Sequence, residues 1–242
     1  GTQLIEEELK QLFPDTGVIR MDTDTVKAAG SHEALLEKFR EEKIPIMVGT
    51  QMVTKGLNFE NVTLIGVLSA DQSLYCGDYR SGERTFSLIT QVVGRSGRGK
   101  KPGRAVIQTF TPQNEIIRLA AAQDYDGFYA SEIQLRRLQR TPPFADIISI
   151  TASGIEEASV LKCCSDIRSI LSASVRASTD VSILGPAPLA VVKVNNRFRY
   201  RVNLNCRADK EIRELVSAVL IKLNSSGKYK GVSIFADNNP LS

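Results

Sequence analysis

Two arginines three residues apart among glycines, in Gly94-Arg95-Ser96-Gly97-Arg98-Gly99, are the residues of this sequence best suited to chemistry. A guanidinium is a planar fork that stays charged and meets phosphate oxygens bidentately. Glycine lets backbone approach a ligand closely. Gln91 precedes them by one helical turn. A second segment, Gly49-Thr50-Gln51-Met52-Val53-Thr54-Lys55-Gly56-Leu57-Asn58-Phe59, offers a hydroxyl at Thr50, an ammonium at Lys55 and free backbone N–H groups around Gly56. An isolated R-x-x-R reads as a solvated basic turn. Here the Gln, the GRSGR spacing and the first segment at the right distance favour an anion. Lys55 ranks below the arginines, because a loop lysine is often simply solvated.

A third constellation is Arg197-Phe198-Arg199-Tyr200-Arg201. On a strand the side chains alternate, so the three arginines line one face at ~6.8 Å steps, with Phe198 and Tyr200 opposite. That step is close to the spacing of phosphates along a single strand and suits salt-sensitive, sequence-independent binding. A solvated outer face over a core-facing aromatic pair is the alternative. Asp22 and Asp24 flank Thr23 near a strand end and read equally as cap or turn residues and as contacts.

The elements that position these residues alternate. Leu4 to Phe13 is an amphipathic helix closed by Pro14, Val18 to Met21 a strand, and Ser31 the N-cap of a helix through Glu42. Ile44 to Val48, Val62 to Leu68 and Ala105 to Thr109 are apolar runs of the kind a parallel sheet buries, and Arg84 to Val93 is helical. Alternating strand and helix predicts an α/β layered sheet, whose chemistry lies past the carboxyl ends of its strands. Two helices run from Pro112 to Arg140, with Tyr125 and Phe128 as packing residues. Beyond them, strands at Asp146 to Ser153, Val181 to Leu184, Leu189 to Val194, Phe198 to Asn205 and Val232 to Ala236 surround helices at Ile155 to Ala173 and Lys210 to Leu223. That order predicts a smaller α+β, ferredoxin-like domain with both helices on one face of an antiparallel sheet.

The expected domains are residues 1–115, a helical connector at 116–141, and 142–242, beginning at the Thr141-Pro142-Pro143 break. The 242 residues are 42% hydrophobic and 24% charged, enough for two modest cores. Residues 1–141 carry 18 Lys/Arg against 18 Asp/Glu, so the whole net charge of +4 falls in the last hundred residues. With four Cys, one His and no C-x-x-C, neither a structural zinc site nor a disulfide framework is expected, and Cys163-Cys164 read as buried thiols. His32, beside a helix cap, has no partners for a nucleophilic triad. No apolar run approaches the ~20 residues of a membrane helix, and no leader is legible, so a cytoplasmic protein is expected. The chain opens on Gly1 rather than Met and enters a helical pattern at once, which predicts a piece of something longer.

The pair GTQMVTKGLNF and QVVGRSGRG resembles motifs V and VI of superfamily 2 helicases. With GTQLIEEEL at 1–9, RMDTDT at 20–25, NVTLIGVLSAD at 61–71, ERTFSLITQVVGRSGRG at 83–99, PPF at 142–144 and GPAPLA at 185–190, nearly the whole chain resembles the C-terminal portion of the primosomal replication-restart helicase family. Leu57 stands where that family commonly has His, Cys76-Gly77 interrupts a usually apolar stretch, and Thr141 replaces a usual aromatic.

The resemblance implies two RecA-like lobes with ATP and Mg between them, this chain supplying the second lobe. No G-x-x-x-x-G-K-[ST] phosphate loop occurs here, so the isolated chain is expected not to hydrolyse ATP. Arg95 and Arg98 would be arginine fingers with Gln91 orienting nucleotide or water, while Thr50, Lys55, Gly56 and Gly94 couple nucleotide state to DNA. The family's zinc would be held by residues outside this chain. Forked and single-stranded DNA, the acidic tail of single-stranded DNA-binding protein and other primosome proteins are the implied partners. Arg197, Arg199, Arg201, Lys210 and Arg213 would contact DNA or partner. The implied activity is ATP-dependent unwinding 3′ to 5′ at stalled forks and D-loops, with primosome loading, in a bacterial, nucleoid-associated protein. A non-catalytic DNA-structure or protein-binding module, or another superfamily 2 lobe, is the alternative.

Overall fold

The computed structural model describes residues 1–50, 53, 62–94, 103–175 and 180–240. Packing divides the chain into two compact units, Gly1–Ser69 with Ser87–Thr109, and Ala70–Phe86 with Phe110–Ser242. By packing, the second unit takes in the helices around 116–141 together with residues 70–86.

In the first unit, β1 (Val18–Met21) pairs in parallel with β2 (Ile46–Gly49), in the register Val18 with Ile46 through Met21 with Gly49. Strand β3 (Leu64–Val67) pairs in parallel with β4 (Arg104–Ile107). Parallel neighbours need long crossovers, and helices supply them. Helix α1 (Thr2–Leu12) precedes β1, and α2 (Thr23–Ala29) and α3 (His32–Glu41) lie between β1 and β2. Met21 is fully buried and packs with Leu36 of α3, flanked by Val26, Leu35, Met47 and Val53. The Ser31 hydroxyl caps α3 by accepting from the Ala34 N–H at 3.0 Å.

Helix α2 is an element that apolar periodicity does not announce. Asp22 starts it: its carboxylate accepts from the Asp24 and Thr25 N–H groups, and the Thr25 hydroxyl accepts from the Asp22 N–H, closing a capping box. Asp22 also accepts from the Thr2 hydroxyl at 2.7 Å. That bond, aided by the Thr25 N–H, holds its carboxyl at about 2, below the ordinary 3.8. Asp22 is thus a cap.

In the second unit, α4 (Asp71–Leu74) and the start of α5 (Ser81–Val93) pack with α6 (Glu115–Ala122) and α7 (Tyr125–Gln139). The buried Asp71 carboxylate accepts from the Phe110 N–H and the Thr111 hydroxyl. Phe86 stacks on Phe128 with centroids 4.2 Å apart. Tyr125, one turn before Phe128, is 62% exposed, so only Phe128 of the expected packing pair is buried.

The rest of this unit reads β5 (Asp146–Gly154), α8 (Glu157–Ser174), β6 (Ser182–Val194), β7 (Arg197–Cys206), α9 (Lys210–Ser225) and β8 (Ser233–Asn238). The sheet order is β6-β7-β5-β8, antiparallel throughout. Strand β6 replaces the two strands expected at 181–184 and 189–194. Gly185 and Pro186 do not end it, because bulges at Leu184/Ala187 and Pro188/Lys193 absorb them at the sheet edge. Gly185 has φ +105°, and a Cβ there would lie 2.7 Å from the Arg201 carbonyl oxygen, so glycine is required.

Ile148, Ile150 and Ala152 of β5 and Val202, Leu204 and Cys206 of β7 face Val160, Cys163, Cys164, Ile167 and Leu171 of α8, and Ile212, Val216, Val219 and Leu223 of α9. Both helices therefore cover one sheet face, and the other face is free of them.

Candidate functional site

The first candidate region follows β2. Gly49 ends that strand opposite Met21, and a Cβ on Gly49 would fall 2.5 Å from the Met21 carbonyl oxygen and 2.2 Å from the Val53 side chain. Only glycine allows strand and following turn to close this tightly. Thr50 is exposed just beyond, and its carbonyl accepts from the Val53 N–H at 3.0 Å. Val53 packs back on Met21 and Leu36 and so pins the start of the segment to the core. Gly49 and Val53 are positioning residues that polar chemistry alone does not single out. The cue for Val53 is an apolar residue inside an otherwise polar loop. Lys55 and Gly56 lie outside the described residues.

The second region follows α5. Gln91 is exposed in its last turn, and the Gly94 N–H donates to the Thr90 carbonyl at 2.9 Å, continuing the helical bonding past Val93. Gln91 and Gly94, three residues apart, lie on one helix face. Ile89, 2% exposed, anchors this part of α5. Arg95 and Arg98 lie outside the described residues.

The third region is the face of the C-terminal sheet opposite α8 and α9, part of which the end of α7 covers, since Asn205 donates to the Gln139 and Arg140 carbonyls. Arg197, Arg199 and Arg201 lie on it, whereas Tyr200 packs into the helix-covered core and hydrogen-bonds Glu157 at 2.5 Å. Lys193 stands 4.7 Å over the Phe198 ring. Arg197 donates to the Ser153 carbonyl at 2.6 Å, and to the Gly231 carbonyl and Ser233 hydroxyl at 3.2 Å. Arg199 donates to the Val191 carbonyl at 2.9 Å, and Arg201 to the Gly77 carbonyl at 3.5 Å. These acceptors are neutral. Among the described residues no carboxylate forms an ion pair with any of the three, so their positive charge is fixed in place without being cancelled.

Lys210 and Arg213 do not join that surface. They lie on α9, which packs on the opposite sheet face, and with Glu214, Ser217, Ala218 and Ile221 they line a shallow hollow of about 460 Å³. Lys210 is 3.8 Å from Glu214, and the Arg213 charge contributes to holding Asp146 below the ordinary carboxylate range, after hydrogen bonds from Asn239 and Ala208.

Two families match along the chain. The helicase conserved C-terminal domain covers residues 2–100, and the primosomal protein N C-terminal domain covers residues 137–241. The replication restart protein PriA of Bacillus subtilis is 42% identical over 240 residues, which is 99% of this chain and 30% of that protein. The sequence corresponds to the C-terminal portion of the PriA family. PriA of Synechocystis is 42% identical over 84% of the chain, and PriA of Chlamydia trachomatis 40% identical over 93%. The chain spans 24–30% of the length of these three relatives. Strands β1, β2 and β3 and the Thr50 and Gln91 segments thus fall in the helicase C-terminal domain, and the arginine face falls in the PriA-type C-terminal domain. Among the described residues, no helix is long and apolar enough to cross a membrane.

Proposed function

We propose that this chain is the second motor lobe and C-terminal domain of an ATP-dependent DNA helicase of replication restart. The observation that carries the proposal is the order of the two family matches along one chain, helicase lobe first and PriA-type domain second. In this reading Arg95 and Arg98 reach the γ-phosphate of ATP bound with Mg on another lobe and stabilise charge that builds up in phosphoryl transfer. Gln91 orients nucleotide or water. Thr50, Lys55, Gly56 and Gly94 convey the nucleotide state to the DNA backbone.

The C-terminal β-α-β-β-α-β order reads as ferredoxin-like. Its Arg197, Arg199 and Arg201 face contacts DNA, and the Lys210/Arg213 hollow on the other side takes an acidic partner segment such as the tail of single-stranded DNA-binding protein. The whole protein recognises stalled forks and D-loops, unwinds duplex 3′ to 5′ and loads the primosome in the bacterial cytoplasm, with zinc held by residues outside this chain.

ATP hydrolysis tests the division of labour. The chain alone is expected to show no turnover with or without forked DNA, while the full-length protein turns over and is stimulated by DNA. Turnover by the purified chain would overturn the proposal.

A further inference from the structure

The sheet face opposite α8 and α9 carries an aromatic side chain that the core does not need. Strand alternation places Ile234 against the helices and Phe235 on the opposite face, where it is 51% exposed. The register sets Phe235 of β8, Thr151 of β5 and Arg201 of β7 in one row across the sheet. The next row is Ser233, Ser153 and Arg199.

Short hydroxyl side chains on the middle strand separate the ring on one side from the guanidinium groups on the other. Phe235 and Arg201 are two strand spacings, about 10 Å, apart. The arginines spend their hydrogen bonds on neutral acceptors, and the acid of β8 on this face, Asp237, lies one row beyond Phe235 on the side away from Arg199. The surface therefore asks for a partner that presents a flat apolar face and a negative charge within one residue's reach. A nucleotide of an unpaired strand has both, because its base is free to stack and its phosphates are anionic.

We propose that this face is a platform for single-stranded nucleic acid, on which a base stacks on Phe235 while Arg199 and Arg201 hold the adjoining phosphates. The inference rests on the reading of the arginine face as a DNA contact and adds the aromatic residue and the unpaired state of the strand.

The sequence contains no Trp, so Phe235→Trp places a single reporter on the platform. Titrating that variant with oligothymidylate is expected to quench its emission along the binding curve. Phe235→Ala is expected to weaken oligothymidylate binding about tenfold or more, with the slope of affinity against salt unchanged. The double variant Arg199→Ala/Arg201→Ala is expected to weaken binding and flatten that slope, and thermal melting of each variant confirms folding. Unquenched Trp and unchanged affinity of Phe235→Ala, with loss in the arginine variant, would overturn stacking while leaving the arginine contact standing. Binding insensitive to all the substitutions, or absent from the unsubstituted chain, would remove both. Quenching by an acidic aromatic peptide and not by oligothymidylate would overturn the nucleic-acid platform in favour of a protein partner.

Discussion

At the end of β2, Gly49 lets the strand pass within contact of the Met21 carbonyl before the chain turns toward Thr50. Adding one methyl at Gly49 forces both β1 and the Val53 side chain to give way, since both stand closer than a carbon can approach. Overpacking of this kind costs about 1–3 kcal/mol. Gly49→Ala is expected to lower the denaturant midpoint accordingly, and denaturant unfolding followed by circular dichroism checks it. Asp22 acts at the same scale through charge. Because folding holds its carboxyl at about 2 rather than 3.8, the contribution is complete above pH 3.8 and is lost as pH falls through about 2. Asp22→Asn should therefore melt lower than the unsubstituted chain near neutral pH, and the difference should close as melts are repeated at pH values approaching 2.

Among the elements, α8 and β7 bury three thiols in the core of the second unit. Burial pushes Cys163 up to about 12, helped by Cys164 and Asp166, and pushes Cys164 and Cys206 up to about 11. Cys76, by contrast, is exposed, and all four cysteines are free thiols. A thiol-specific reagent added to the folded chain at neutral pH is expected to label Cys76 alone, and to label all four after unfolding. Rapid labelling of Cys163 or Cys164 would contradict the packing of α8.

The same elements show what the sequence makes legible. The strand of Val18–Met21, the Ser31 cap and the amphipathic helices follow from periodicity and capping, because burial and local hydrogen bonds act in the same direction there. Helix α2 escapes because Thr-Asp-Thr-Val-Lys carries a capping box rather than an apolar stripe. The continuity of β6 escapes because Gly185-Pro186 looks like a turn until an edge bulge accommodates it. The alternation of Arg197, Arg199 and Arg201 with Phe198 and Tyr200 is legible from period two. Their carbonyl partners, from Val191 on the neighbouring strand to Gly77 in the turn after α4, and Phe235 in the same row as Arg201, need the folded register.

For the molecule as a whole, the charge division and the packing division agree in one respect. Residues 142–242 hold the whole net positive charge, and they lie within the second unit. In the proposed function the helicase-type motif segments, which fall in the charge-balanced residues 1–141, serve chemistry that another lobe completes. An arginine finger in analogous phosphoryl transfer is worth ~10³–10⁵ in rate, far more than a solvated basic turn could contribute. Single-turnover ATP hydrolysis by the full-length protein carrying Arg98→Ala, compared with the unsubstituted protein at matched nucleotide occupancy, puts this most directly to the test. A fall of about a thousandfold or more with ATP still bound is the expected result, and hydrolysis within a few-fold of the unsubstituted rate would contradict the account.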